Sequence, residues 1–202
     1  MGTRGLTIVR LDGVERVAQY GQWDHYPEGQ GCDVLKFCRK HLLSKKNREI
    51  FKEAVYQTRF ISPQEYDDLW EKDTGEKMPK SGLVDYFVAK KFGTLHPEFS
   101  RNTGAGILAL VLNGTTGLQN EIGFIKNSLF CEWAYCIDLD ANVLEVYKGY
   151  QKSPHTKGRY AGAAQRAYYP CALVATFSLA KLPSKKNFLK AIADAVGQDN
   201  TD

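Results

Sequence analysis

Two short runs of β-forming residues, separated only by Asp12-Gly13, constrain this chain more than any other feature. Residues 5–11 (Gly-Leu-Thr-Ile-Val-Arg-Leu) and 14–20 (Val-Glu-Arg-Val-Ala-Gln-Tyr) are rich in β-branched and aliphatic types. Asp-Gly tolerates the positive φ angles that a two-residue hairpin turn demands. The chain is therefore expected to open with a β-hairpin, whose far end runs into residues 19–31, Gln-Tyr-Gly-Gln-Trp-Asp-His-Tyr-Pro-Glu-Gly-Gln-Gly. Three glycines and Pro27 forbid regular structure there. Tyr20, Trp23 and Tyr26 beside Asp24 and Glu28 supply the aromatic surface and carboxylates of a shaped, partly polar pocket.

Helical spacing takes over next. Val34, Leu35, Cys38 and Leu42 form one stripe, with Asp33 in the first turn, where negative charge is favoured. Ile50, Phe51, Ala54 and Val55 form a second, broken from the first near residues 44–46. Ser62-Pro63-Gln64-Glu65 carries a cap, a proline at the first helical position and an acid behind it, predicting a helix through about Lys72. Leu83, Val84, Phe87 and Val88 predict another, ending at Gly93, and the apolar run 103–112 a short buried one.

From Phe124 the period becomes two. Leu129, Cys131, Trp133, Tyr135, Ile137 and Leu139 alternate with Phe130, Glu132, Ala134, Cys136 and Asp138. Return strands are predicted at Val143 to Lys148 and at 171–179, and a last helix after Ser184. The order implies an α+β fold with an antiparallel sheet: one domain over residues 1–197 and a polar tail, 198–202.

Composition excludes several classes. At 202 residues, 43% hydrophobic and 25% charged, the chain can bury a core and is not disordered. A net charge of +4 permits anionic partners without demanding nucleic acid. Five cysteines with no Cys-x-x-Cys read as reduced thiols in a cytoplasmic protein. The start lacks the charged lead and apolar stretch of a signal peptide, and no apolar run reaches membrane-spanning length, so no membrane association is expected. His25, His41, His96 and His155 make no metal spacing with Cys32 and Cys38, and Gly29-x-Gly31 is not a dinucleotide or P-loop fingerprint. No metal and no cofactor is expected.

The site residues nominated are Arg4, Gln22, Trp23, Asp24, Tyr26 and Glu28, joined by Glu132 if the first and third strands are neighbours. They would bind a small polar or anionic ligand, or a protein partner. The plain alternative has Trp23 and Tyr26 plugging the end of the sheet and Asp24 capping a turn. A second basin is the basic segment 149–169, with Lys152, Lys157, Arg159, Arg166, several tyrosines and no acid. It is expected to be a mobile flap, and it carries nucleic-acid binding as an alternative.

Two resemblances bear on function. A strand, an Asp-Gly turn and a second strand ending in a polar Gly-x-x-Asp resemble the opening of N-terminal-nucleophile hydrolases. That resemblance implies an amidohydrolase with Thr3 as catalytic nucleophile and Asp24 organising it. Because position 2 is glycine, two residues must be removed to expose Thr3. The Met1-Gly-Thr-Arg-Gly-Leu6 start, Ala18-Gln-Tyr-Gly-Gln-Trp-Asp24, Tyr26-Pro-x-Gly-x-Gly31, Phe130-Cys-Glu-Trp-Ala-Tyr135 and Val146-Tyr-Lys-Gly149 are similar to a family of uncharacterised phage, bacterial and fungal proteins. Glycine is expected there where this chain has His25. That resemblance supports the choice of segment and implies no reaction.

Overall fold

A computed structural model describes residues 2–79, 81, 83–162 and 168–198. The hairpin forms as expected from β1 (Gly5–Leu11) and β2 (Val14–Gly21), with Asp12 at φ 57° and Gly13 at φ 74°. Helices α1 (Cys32–His41) and α2 (Lys45–Tyr56) follow, then β3 (Arg59–Phe60), α3 (Pro63–Thr74), α4 (Tyr86–Leu95), α5 (Ile107–Leu112) and β4 (Gly117–Leu118). Strands β5 (Trp133–Asp138), β6 (Val143–Lys148) and β7 (Ala172–Ser178) precede the terminal helix α6 (Lys185–Gln198). The fold is α+β.

The main sheet has the order β2-β1-β5-β6-β7. Three of its pairings are antiparallel, but β1 and β5 run parallel, from Gly5 opposite Trp133 to Arg10 opposite Asp138. The sheet is thus mostly antiparallel, as expected, with one parallel pair inside it. A parallel neighbour needs a long crossover, and the helical middle of the chain supplies it. Two other expectations shift. The strand anticipated from Leu129 begins only at Trp133, because the amides of Phe130 and Cys131 turn back onto the Asn127 carbonyl. Helix α4 starts at Tyr86, where Asp85 accepts from the amides of Phe87 and Val88, so Leu83 and Val84 lie outside it.

Strand alternation sends side chains into two cores. On one face Val9, Leu11, Tyr135, Ile137, Leu144 and Val146 pack against α1, α2, α5 and α6 through Leu35, Phe51, Leu108 and Phe188. On the other, Leu6, Ile8, Ala134, Cys136 and Tyr147 are covered by Ile125, Cys131, Cys171 and the partly buried Tyr160. The described part of the basic segment, 149–162, helps cover that second face and is no loose flap. Tyr150 N and Gln151 N bond Ser128, His155 Nε2 donates to the Pro170 carbonyl at 2.8 Å, and Leu173 N to the Lys157 carbonyl at 3.2 Å.

Its anchor is Arg159. The guanidinium reaches Asp138 at 2.6 Å and Glu145 at 2.6 and 3.0 Å, and Glu145 also accepts from the Tyr147 hydroxyl at 2.8 Å. Burial raises the Glu145 pKa above the ordinary carboxylate value. Without Arg159 the buried Glu145 loses its hydrogen-bonded cation and the buried Asp138 keeps only Arg10, at 3.8 Å, and stranding such charge costs more than the pair contributes. Arg159→Met should therefore lose about 3 kcal/mol in urea unfolding, and adding Asp138→Asn and Glu145→Gln should recover most of it. An equal loss in both variants would mean that packing, not charge, fixes the strap.

Candidate functional site

At the open end of the hairpin Gly5 and Gly21 stand opposite each other, two adjacent positions without side chains. The His25 imidazole fills the hole they leave. A Cβ on Gly5 would come within 2.6 Å of its Cδ2, and a Cβ on Gly21 would collide with its Cε1. His25 is fully buried. Its amide donates to the Thr3 carbonyl at 3.1 Å, and its carbonyl accepts from the buried Tyr135 hydroxyl at 2.7 Å. Nδ1 lies 3.3 Å from the Trp23 carbonyl and so serves as the donor, while Nε2 is buried with no hydrogen-bond partner among the described residues. Burial lowers the His25 pKa to about 4, against the smaller opposing pulls of the Trp23 carbonyl and the Asp24 charge.

Around this plug the segment folds outward. Asp24 takes φ 58° and its carbonyl accepts from Gln30 N at 2.7 Å. Gly29 fits because a Cβ there would collide with that carbonyl. The Gln30 carboxamide caps Ala105 N at 2.7 Å, tying the loop to the turn before α5. Trp23, 51% exposed, covers Gly2 and donates to Asn102 at 3.0 Å. Tyr26 is 40% exposed, and Asp24 and Glu28 also face outward. The β1–β5 pairing does bring Glu132 beside Arg4: its carboxylate accepts from Arg4 N at 3.2 Å, while the Arg4 guanidinium covers the Phe130 ring at 4.6 Å.

A concave surface lies nearby on a different set of residues. A cleft of about 340 Å³ is lined by Gln19, Tyr20, Phe99, Arg101, Gln119, Glu121 and Phe124. None of Arg4, Gln22, Trp23, Asp24, Tyr26, Glu28 or Glu132 lines it. Gln22 acts one step back. Its side-chain oxygen accepts from Tyr20 Oη at 2.6 Å and from Arg101 Nη2 at 2.7 Å, and its amide donates to the Arg101 carbonyl. The Tyr20 ring meets Phe124 edge-on at 5.1 Å, and Gln19 is pinned to the carbonyls of Tyr20 and Ser100. Glu121 N donates to the Ala18 carbonyl along the outer edge of β2, and burial raises the pKa of its carboxyl group.

Residues 19–22 thus belong to the site's frame, but Phe99, Arg101, Gln119, Glu121 and Phe124 carried no motif that marked them. They arrive from two turns far along the chain. Of the basic set, Arg159 is engaged internally with Asp138 and Glu145, the Lys152 ammonium covers the Tyr150 ring at 4.7 Å, and Lys157 N contacts His155 Nδ1 at 3.2 Å. Arg166 lies outside the described residues. Thr3 enters through its carbonyl, as above. Among the described residues no cluster of three or more His, Cys, Asp or Glu is placed to hold a metal, and no helix is long and apolar enough to cross a membrane.

Comparison with known proteins returned no match: no family model, no curated protein and no solved structure is similar enough to this chain to count as one.

Two outcomes follow from the His25 plug. The unfolded imidazole titrates near 6.5 and the folded one near 4, so between these values the unfolded chain binds more protons. Stability should fall as pH drops from 6.5 towards 4, by up to about 3 kcal/mol from this group, and no further below. Denaturant titrations at pH 7, 5.5 and 4.5 check this, and His25→Phe should remove that share of the decline. Separately, Gly21→Ala should be severe in the native chain and mild beside His25→Gly. A double-mutant cycle should read a coupling of about 2 kcal/mol.

Proposed function

We propose that this protein binds a small polar or anionic ligand in the cleft between β2, the turn at 97–103 and the turn at 119–124. The observation that carries the reading is the meeting of Arg101 and Glu121 in one cleft among Tyr20, Phe99 and Phe124. A guanidinium presents paired donors to a carboxylate or phosphate, and its fork is pre-set here by the bond to Gln22. Three rings offer apolar area to the ligand's body. The carboxamides of Gln19 and Gln119 hold both donors and acceptors that fix orientation. The Glu121 carboxyl at the cleft accepts from a ligand amine or hydroxyl that reaches it. The cleft volume falls within the span of small-molecule sites. All five cysteines are free and four are buried, which supports the reading of a protein kept in a reducing, cytoplasmic compartment.

A thermal-shift panel of free amino acids, dicarboxylates and mononucleotides tests the proposal. At least one member should raise the melting temperature of the native chain. Its affinity should fall at least tenfold, about 1.4 kcal/mol, in Arg101→Gln, an exposed site whose substitution leaves the fold intact. A panel without a shift, or shifts indifferent to both Arg101→Gln and Phe124→Ala, overturns the assignment.

A further inference from the structure

The cleft beside β2 carries one charge of each sign, Arg101 and Glu121, and they reach it from different turns. The two turns are fastened to the outer edge of β2 at separate points. Gln22 N donates to the Arg101 carbonyl at 2.8 Å, and Glu121 N donates to the Ala18 carbonyl at 3.1 Å. Ala18 and Gln22 are four residues apart, so the fastenings stand roughly 13 Å from each other along the strand. The Arg101 guanidinium is held at its own end by Gln22 Oε1 at 2.7 Å. Among the described residues neither charge is in an ion pair, so the two face one space without closing on each other.

That arrangement discriminates among small polar ligands. Each turn brings a ring close to its charge, Phe99 beside Arg101 and Phe124 beside Glu121. Tyr20 stands on the stretch of β2 between the two fastenings, its ring edge-on to Phe124 at 5.1 Å. All three rings are half-buried, which leaves apolar surface for a ligand's body between two polar ends. A dianion sets its second negative charge against Glu121, and a simple amine meets Arg101; like charges at contact repel. A monoanion satisfies Arg101 alone. A molecule with an anion at one end and a cation at the other is attracted at both. The separate fastenings also favour charges at opposite ends of the ligand over the single charged carbon of an α-amino acid.

We propose that the cleft's ligand is a zwitterion with its carboxylate and its ammonium at opposite ends of a short apolar body, the pattern of a dipeptide or an ω-amino acid. The inference rests on the reading of this cleft as a ligand site. The carboxylate takes the paired donors of Arg101, and the ammonium donates to Glu121. The body lies along Tyr20 between Phe99 and Phe124. Glu121 thereby decides specificity, since it penalises the dicarboxylates and nucleotides that Arg101 alone would admit.

The test is an NMR titration of the whole isotope-labelled chain with six-carbon probes that differ in their charges. These are 6-aminohexanoate, hexanoate, hexylamine, adipate and norleucine, which carries both charges at one end; the dipeptide alanyl-leucine joins them. One of the two end-to-end zwitterions, 6-aminohexanoate or alanyl-leucine, should bind at least tenfold tighter than the other four probes, and the tighter of the two identifies the source. Arg101→Gln should bring its affinity down to that of hexylamine, and Glu121→Gln to that of hexanoate. Glu121→Lys should transfer the preference to adipate. Both side chains are exposed, and circular dichroism checks that the variants stay folded. Hexanoate or adipate binding the native chain as tightly, and losing that affinity in Arg101→Gln, overturns the zwitterion while the cleft stands as an anion site. Binding indifferent to both Glu121 substitutions overturns it too. Absence of binding by either zwitterion also overturns the inference, and the thermal-shift panel then decides separately whether the cleft takes another ligand.

Discussion

Strand β1 is hydrogen-bonded on both sides, to β2 through a two-residue turn and to β5 across most of the chain's length. The Arg4–Glu132 contact at its start joins residues 128 apart in sequence. Parallel pairing over such a distance carries a large loop-closure cost, which is recovered only by what the pairing buries. Here it buries β1 on both faces, with Val9 and Leu11 among the helices and Leu6 and Ile8 beneath residues 122–131, Tyr160 and Cys171. Both cores exist because β1 is an interior strand of the sheet. The crossover that makes this possible contains α1 to α5; of these α1, α2 and α5 pack with α6 on one face, and irregular chain covers the other.

That second cover holds by polar contacts as much as by apolar ones. Arg159, Asp138, Glu145 and Tyr147 form a network in which each charge meets an opposite charge or a hydrogen bond. Such a network adds little net stability compared with hydrocarbon, yet it penalises any arrangement that leaves a member alone. It therefore fixes where the 149–162 strap crosses the sheet, and Gly158, at φ 86° against Leu173 and Tyr147, lets the backbone come close enough. The basic residues that resemble a phosphate-binding loop in sequence are partly the fastening of this strap.

The cleft beside β2 and helix α4 share a structural root. Phe99 forms one wall of the cleft and packs, on its other side, against Phe92 and His96 of the α4 cluster. Tyr66 and Trp70 of α3 complete that cluster. The turn at 97–103 is thereby held between the helical subassembly and the edge of β2, where Arg101 and Gln22 clasp each other. Rigid support of this kind keeps a guanidinium aimed without help from the ligand.

Features governed by near neighbours were legible from the residues alone. Asp12-Gly13 makes its hairpin, Ser62 and Glu65 form their reciprocal cap, and Ser44 separates α1 from α2, because each involves groups a few bonds apart. The α+β class followed from the same local periods. Partners distant in sequence were not legible. His25 has an ordinary polar context, and only the meeting of Gly5 with Gly21 makes the hole that it fills. Arg101 and Glu121 lie in turns without a motif and share one cleft only when the crossover sets them against Gln19 and Tyr20. Phe87 and Phe92 look alike as helical hydrophobes five residues apart, yet one is buried and the other bare. Helical periodicity shows that a stripe exists, but which side of it is covered depends on a surface contributed by the rest of the chain.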